Sequence, residues 1–238
     1  EIIGNKHDIN LNRRFPENNY GGIISHLDGK IDPIKLLSAI STSIKKYNVK
    51  EIVDKVISIE KCSNLIDSRW KLYLESGRVM KKQTIIVCAA QGSNNLLSKL
   101  GYEIKLEPVL GQALTLKIKS DSTTWEGWPA VLSIGSINYI PKQDNEIIVG
   151  ATLEPGDSPS IKEKQSLLNL NSSHPNWLSN ATIKSEWRGI RSKPYKRPAP
   201  ILETIEPGLI IATGHYRNGI LLAPVTAEWV AKEITKEE

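Results

Sequence analysis

The sequence has few of the residues that mark a disulfide-bonded, zinc-binding or membrane-spanning protein. It has two cysteines among 238 residues, Cys62 and Cys88, and neither lies in a CxxC pair or a Cys/His cluster. A disulfide framework or a structural zinc site needs more ligands at closer spacing. No apolar run approaches the ~20 residues that a membrane helix requires. We therefore expect a protein of the reducing cytoplasm, without a membrane span or metal, in which Cys88 is a buried, inert thiol.

Methionine is equally scarce. The single methionine is Met80, and the chain starts with Glu1. The first residues lack the apolar stretch of a signal peptide. We therefore expect that the natural protein has further sequence before Glu1.

The excess of positive charge is small and dispersed. Lysine and arginine number 31 against 26 acidic residues, which gives a net charge of +5. The basic pairs Lys45-Lys46 and Lys81-Lys82 are not interleaved with aromatic residues, as a nucleic-acid site would require. These lysines therefore indicate solvated surface, and we expect no nucleic-acid partner.

Hydrophobic periodicity predicts a mixed α/β protein. Asp32 followed by Pro33 is typical of a helix start, and apolar residues then recur at helical spacing to residue 46. Residues 84–90 form an uninterrupted apolar run, which indicates a parallel strand buried on both faces. Shorter alternating patterns predict further strands at 53–60, 70–75 and 78–82.

The middle of the chain has an antiparallel character. Alternating residues predict strands at 113–118, 130–139, 146–152 and 183–191, with a turn at 143–145. Ser160 and Glu163 have the spacing of a capping box, which predicts a helix to about residue 170. A buried strand at 208–213 and a helix then follow. The order α/β, β-rich, α/β predicts one domain inserted within another.

The most informative stretch is Gly214–Pro224, which follows the last buried strand. It combines a tight loop containing two glycines with the start of a helix. Main-chain N–H groups at a helix N-terminus are unpaired and carry partial positive charge, so they attract anions. Arg217 places a second cation in the same loop.

This stretch closely resembles the C-terminal motif of the FAD-dependent amino-acid oxidases, the family of glycine oxidase and D-amino-acid oxidase. Four other blocks match the family in the same order, so the similarity spans nearly the whole chain. They are residues 29–33, 108–112, 148–152 and 187–191.

The resemblance implies a fold and a domain order. The expected fold is α/β with mixed α+β character: an incomplete FAD-binding domain of the glutathione-reductase type with an inserted antiparallel-sheet substrate domain. Residues 29–105 and 193–238 would belong to the FAD-binding domain. Residues 1–28 and 106–192 would belong to the substrate domain.

The resemblance also implies site residues. Arg191 would hold the substrate carboxylate with paired hydrogen bonds, and Arg217 would lie beside flavin and substrate. The implied cofactor contacts are Val56, Ala90, Gly214, Asn218, Gly219, Ile220 and Leu221. Simpler interpretations stay open: surface ion pairs for the two arginines, core packing for Val56, and a loop hydrogen bond for His215. Packing is also the expectation for Trp187, and no residue is assigned as a catalytic acid or base.

Several positions depart from the family pattern. The GxGxxG fingerprint that cradles the FAD pyrophosphate is absent from the sequence, so we expect weak or no FAD binding by this chain alone. The segment 89–92 replaces the family's alanine-glycine strand end, and Ser192 replaces a proline. Tyr139 is one residue from the family's tyrosine position, which would turn its side chain to the opposite face.

The expected function is oxidative deamination of glycine or a related small amino acid, with hydride transfer to FAD and oxygen as electron acceptor. One alternative is a D-amino-acid or secondary-amine dehydrogenase that uses another acceptor. Others are a tRNA-modifying FAD oxidase and a non-catalytic fragment that no longer binds FAD. In the family, glycine oxidation often serves thiamine biosynthesis. A homo-oligomer is also left open.

Overall fold

The structure is a computed structural model, and it describes residues 2–3, 22–23, 25, 27, 29–63, 68–119, 125, 130–134, 136–168, 178 and 180–236. The chain divides into two compact units. Unit 1 comprises Glu1–Val49 and Leu110–Gly189, and unit 2 comprises Lys50–Val109 and Ile190–Glu238. Most of the predicted segment 1–28 lies outside the described residues.

The predicted mixed α/β fold is confirmed, with helices and strands in both units. In the described part of the chain the helices are α1 (Pro33–Lys46), α2 (Ser93–Leu97), α3 (Ile161–Ser166) and α4 (Gly219–Thr235). The strands are β1 (Ile2–Ile3), β2 (Gly22–Ile23), β3 (Val56–Lys61), β4 (Trp70–Leu74), β5 (Val79–Lys82), β6 (Ile85–Val87), β7 (Leu106–Lys117), β8 (Leu132–Ile134), β9 (Ile137–Pro141), β10 (Glu146–Gly150), β11 (Glu154–Pro155), β12 (Thr182–Pro194), β13 (Ile201–Glu206) and β14 (Leu209–Thr213).

Unit 1 is built on a sheet with the strand order β11–β7–β10–β9–β8, in which β12 also pairs with β7. The β7–β10, β10–β9 and β9–β8 pairs are antiparallel. The predicted turn between β9 and β10 is present, and Asp144 and Asn145 both have positive φ, which these residue types tolerate in tight hairpins. The core of this unit consists of Leu114, Leu116, Ile118, Tyr139, Ile147, Val149, Leu167 and Leu178.

Unit 2 contains two three-stranded sheets. One has the order β3–β4–β5 and is antiparallel, and the other has the order β13–β14–β6. In the second sheet β13 is antiparallel to β14, whereas β14 is parallel to β6. The core of this unit consists of Ile59, Trp70, Ile85, Val87, Leu97, Ile104, Ile201, Leu209 and Ile211.

Helix starts were predicted better than strand ends. Helix α1 has the predicted bounds, and the Asp32 carboxylate accepts hydrogen bonds from the N–H groups of Ile34 and Lys35. Ser160 caps α3 as predicted, but the helix ends at Ser166. The strand predicted at 130–139 is two strands, β8 and β9, and the strand predicted from residue 53 begins at Val56.

Two burial predictions near β6 are wrong. The sequence predicts that both faces of this strand are buried. In the structure Ile85 and Val87 are buried, whereas Ile86 is 38% exposed. Cys88 is exposed rather than buried, and it lies after the strand has ended. Among the described residues β6 is the last strand of its sheet, and an apolar run alone does not reveal such a position.

Candidate functional site

The carboxyl ends of β6 and β14 meet at one edge of the unit 2 sheet, because the two strands are parallel. The chain leaves β6 through Ala90, with φ of 49°, and leaves β14 through Gly214 and Tyr216, with φ of 67° and 54°. The buried Ser93 hydroxyl, at the start of α2, donates a hydrogen bond to Thr213 Oγ1, at the end of β14, over 3.3 Å. Ligands of open α/β sheets bind at such an edge.

The loop after β14 is held in place by close packing around Gly214. A Cβ atom at this position would lie 3.0 Å from Pro194 Cγ and 3.2 Å from Leu106 Cδ2. The positive φ of Gly214 is also strained for any residue with a side chain. Glycine is therefore required here, and its contact with Pro194 brings the end of β12 next to the loop that carries Arg217.

Helix α4 starts from this loop with its first backbone N–H groups uncapped. The Asn218 side chain makes no capping hydrogen bond, and the first turn contains no acidic residue. The first intrahelical bond runs from the Leu222 N–H to the Asn218 carbonyl. The N–H groups of Gly219, Ile220 and Leu221 precede it and have no partner within the helix. They form a patch of donors with partial positive charge.

Arg191 and Arg217 lie near each other in unit 2, although they are 26 positions apart in the sequence (217 − 191). Partial burial lowers the pKa of Arg191. The Tyr216 hydroxyl opposes this effect, and the positive charge of Arg217 lowers the pKa further. Two cations close enough to influence each other make the edge attractive to an anion.

Two buried polar atoms beside this edge have no hydrogen-bond partner among the described residues: Gln91 Nε2 and Ser192 Oγ. Gln91 follows Ala90, and Ser192 follows Arg191. Gln91 also lines a cavity of about 600 Å³, with Asn94, Asn95, Lys105 and Tyr195 among its other lining residues. A buried donor without an acceptor is costly, so it commonly marks a place where a ligand or water completes the bonding.

His215 and Val56 have clear structural surroundings. His215 Nε2 lies 2.9 Å from Thr226 Oγ1, and burial lowers the pKa of the imidazole. This side chain therefore joins the loop to α4. Val56 packs against the unit 2 core at an irregularity in the β3–β4 register. Val56 also interrupts the alternation of apolar and polar residues in this segment of the sequence, and the interruption corresponds to this bulge.

Tyr139 and Trp187 are in unit 1, apart from the predicted site residues, which are all in unit 2. Tyr139 is fully buried in the unit 1 core, and burial raises the pKa of its phenol. It is a core residue, which agrees with its position on the opposite strand face. Trp187 is 50% exposed, so its packing covers about half of its surface.

Sequence reasoning did not identify Gln91 and Ser192 as candidate site residues. Both positions were noted as departures from the family pattern, and that was the available signal. Their burial without a partner depends on long-range packing. Within the described residues, no group of three potential metal ligands occurs, and no helix has the length and apolar character needed to cross a membrane.

A parallel strand pair that ends at an uncapped helix N-terminus is typical of α/β proteins that bind nucleotide cofactors, and this is the class that the fold indicates. Comparison with known proteins makes this specific. Residues 6–233 match the family described as FAD dependent oxidoreductase, and the chain belongs to that family.

The relatives and structural neighbours agree with this family. Glycine oxidase from Pseudomonas putida is 32% identical over 181 residues, which cover 69% of this chain and 47% of the relative. Glycine oxidase from Geobacillus kaustophilus has a TM-score of 0.63 at 24% identity and covers 78% of this chain and 49% of its own. L-proline dehydrogenase from P. horikoshii has a TM-score of 0.72 at 22% identity, over 88% of this chain and 57% of its own. The chain spans about half the length of the curated relatives it matches.

The described residues fit one end of FAD. The uncapped N–H groups of Gly219, Ile220 and Leu221 suit the carbonyl-rich edge of the flavin ring, whose oxygens are acceptors. The pyrophosphate would need a glycine-rich turn, and GxGxxG does not occur in the sequence.

Proposed function

We propose that this chain supplies the carboxylate-binding site and the flavin-ring contacts of an FAD-dependent oxidase of glycine or a related small amino acid. The observation that carries the proposal is the electrostatic interaction of Arg191 with Arg217, which directly precedes the uncapped N-terminus of α4. Membership of the FAD dependent oxidoreductase family supports it, and so does the similarity to glycine oxidases.

Arg191 is suited to hold the substrate carboxylate. Its planar guanidinium can donate two parallel hydrogen bonds to the two carboxylate oxygens. Its partial burial strengthens such a pair, because less water competes for the charges. Arg217 adds a second positive charge and would favour the substrate as an anion with a neutral amine over the zwitterion.

The start of α4 is suited to the flavin ring. FAD, when bound, supplies the acceptor for the hydride that leaves the substrate Cα. Backbone N–H groups of Gly219–Leu221 would donate to the ring edge, where their partial positive charge favours the added electrons. Gly214 and the packed Pro194 would fix these donors in position.

None of these residues needs to act as a general base. The pKa of His215 is lowered by burial, and its ring is engaged with Thr226, so it holds the loop rather than a substrate proton. A neutral amine can release hydride from its Cα without a base. The role of the chain is then to orient the substrate and to favour its anionic form.

The test is a turnover assay on FAD-loaded protein with glycine and with N-methylglycine. Ammonia or methylamine, an oxo acid and hydrogen peroxide are the expected products. Arg191→Lys should weaken apparent substrate affinity about 10- to 100-fold, because it keeps the charge but loses the paired geometry. The matched variant Arg188→Lys, on the same strand, should leave the affinity unchanged. Turnover without peroxide would indicate a dehydrogenase instead, and unchanged affinity in Arg191→Lys would remove the carboxylate assignment.

A further inference from the structure

Helix α4 contains a proline close to its start, where the proposed flavin donors lie. Pro224 is inside the helix and has no N–H group, so the Ile220 carbonyl cannot accept the usual hydrogen bond from an N–H four residues ahead. On the N-terminal side of the proline, the Leu222 N–H donates to the Asn218 carbonyl over 2.9 Å. The first turn is therefore joined to the rest of α4 by fewer backbone hydrogen bonds than an uninterrupted helix would have.

A side-chain hydrogen bond links the loop before α4 to the helical segment after Pro224. His215 lies in the loop, and its Nε2 atom is 2.9 Å from the Oγ1 atom of Thr226, which follows the proline. The His215 carbonyl also accepts a hydrogen bond of 3.1 Å from the Asn218 N–H. The first turn of α4 thus lies in a segment of chain whose two ends are joined by the bond between imidazole and hydroxyl.

The surroundings of His215 and Thr226 favour this bond. Thr226 is 9% exposed, and burial lowers the pKa of His215, which favours the neutral ring. A neutral imidazole and a hydroxyl can each donate or accept, so the bond can form in either direction. A Cβ atom added at Gly219 would lie 3.8 Å from His215 Cβ, so His215 also lies against the first residue of the helix. Burial of this kind limits the competition from water for the bond.

The effect of an N–H group on a bound ligand depends on its position and direction. A displacement of about 1 Å from the productive geometry is enough to weaken a functional site. On the basis of the proposed function, we infer that His215 and Thr226 are positioning residues: their hydrogen bond fixes the first N–H groups of α4, and with them the stabilisation of a reduced flavin. Neither side chain needs to touch the substrate or the flavin for this role.

The test compares variants that each change one partner of a hydrogen bond. Thr226→Val removes the hydroxyl and keeps the shape of the side chain, whereas Thr226→Ser keeps the hydroxyl. His215→Phe removes the other partner, and it takes the place of Thr226→Val if that variant fails to fold. Thr204→Val is the matched control, because the Thr204 hydroxyl also bonds to α4, by donating to Glu233 over 3.0 Å near the other end of the helix.

The first measurement is hydrogen exchange at the Leu222 amide in the chain without FAD. We expect exchange to be about three- to tenfold faster in Thr226→Val and in His215→Phe, which is the range expected for the loss of one hydrogen bond. Exchange in Thr226→Ser and Thr204→Val should stay within about twofold of wild type. The Lys236 amide, which donates to the Lys232 carbonyl at the other end of α4, is the internal reference for opening of the whole helix.

Four results of the exchange measurement would overturn the inference. They are unchanged Leu222 exchange in Thr226→Val or His215→Phe, no rescue by Thr226→Ser, the same acceleration in Thr204→Val, and equal acceleration at Leu222 and Lys236. Because this measurement needs no flavin, it decides whether His215 and Thr226 position the helix start, whatever the chain binds there.

The second measurement is the reduction potential of FAD in the loaded protein, which a role confined to stability would leave unchanged. Thr226→Val should shift the two-electron equilibrium about tenfold toward oxidised flavin, which corresponds to about 30 mV. Thr226→Ser should restore the wild-type potential, and Thr204→Val should not alter it. If Leu222 exchange responds as expected but the potential does not, the flavin contact of the proposed function is contradicted, and the positioning of the helix start by His215 and Thr226 stands.

Discussion

Helices α1 and α4 begin in opposite ways. At the start of α1, in unit 1, the Asp32 carboxylate accepts two backbone hydrogen bonds, and Pro33 removes the need for another. At the start of α4, in unit 2, the Asn218 side chain accepts none, and the first turn carries no acid. At the start of α1 the Asp32 carboxylate satisfies backbone N–H groups, whereas at the start of α4 the backbone N–H groups remain available as donors.

The same contrast extends to buried polar groups. In unit 1 the buried Glu154 carboxylate accepts hydrogen bonds from Gln112 Nε2, the Thr152 hydroxyl and the Ser160 N–H. In unit 2 the buried donors of Gln91 and Ser192 have no described partner. Satisfied groups stabilise a fold, and unsatisfied groups beside a strand end indicate where a ligand binds. Under the proposed function, a ligand bound in unit 2 would complete the bonding of these donors.

The largest expected effect on stability is loss of the Glu154 carboxylate. Glu154→Ala removes the acceptor of the Thr152 hydroxyl, of the Ser160 N–H and of one of the two Gln112 Nε2 hydrogen bonds, the other being to the Ser160 carbonyl. The loss should cost about 2–4 kcal/mol of unfolding free energy. Chemical denaturation measures it. A cost below about 1 kcal/mol would mean that water replaces Glu154 as the acceptor for these donors. The difference in hydrogen-bond satisfaction between the two units would then be smaller.

The pH dependence of stability gives a second measure of the same network. Burial acts to raise the pKa of Glu154, but hydrogen bonds from Thr152, Gln112 and Ser160 outweigh it, and the net pKa is lowered. Because the folded-state pKa is below the unfolded value, the stabilisation is present above the unfolded pKa and is lost as pH falls through the folded pKa. Glu154→Gln should remove this part of the acid sensitivity, and an identical acid denaturation curve would contradict the account.

Gly214→Ala should have the next largest effect. The new Cβ meets Pro194 at 3.0 Å, and the positive φ is unfavourable, so we expect a loss of about 1–3 kcal/mol. Gly77→Ala is the matched control, because Gly77 also has positive φ but nothing lies within 4 Å of its added Cβ. Thermal melting of both variants separates packing from backbone strain. Equal losses would show that the close packing around Gly214 contributes little.

The smallest effects compare the two helix starts directly. Asp32→Ala should destabilise the protein by about 1 kcal/mol, because it removes the N-cap. Asn218→Ala should change stability by only a few tenths of a kcal/mol, because its side chain caps nothing. Denaturant titration of both variants provides the comparison. A loss of about 1 kcal/mol in Asn218→Ala would mean that the Asn218 side chain does cap the N-terminus of α4.

Local signals predicted local structure well. The spacing of apolar residues gave α1 its bounds, and Asp32 and Ser160 were identified as caps because their bonding partners lie within three residues. The loop after residue 213 and the helix start were likewise visible, since glycine spacing and a buried strand define them. The two arginines were paired through the family resemblance, because no local pattern connects residues 191 and 217.

What the sequence did not reveal depends on long-range packing. The run 84–90 predicts an apolar strand, but it does not tell which strand ends a sheet, so the exposure of Ile86 and Cys88 was missed. The isolation of Gln91 Nε2 and Ser192 Oγ also depends on neighbours far along the chain. Exposure of an apolar strand and the lack of a hydrogen-bond partner are properties of the folded unit, so only the tertiary structure shows them.

The most direct test is a double-mutant cycle on FAD-loaded protein, with glycolate as a carboxylate ligand that lacks the amine. Dissociation constants are measured for wild type, Arg191→Ala, Arg217→Ala and the double variant, with Arg188→Ala paired with Arg191→Ala as control. A shared anion site predicts a coupling energy between Arg191 and Arg217 of about 0.5–3 kcal/mol, whereas the control pair should be additive. Additive effects of Arg191→Ala and Arg217→Ala, within about 0.3 kcal/mol, would contradict a common site.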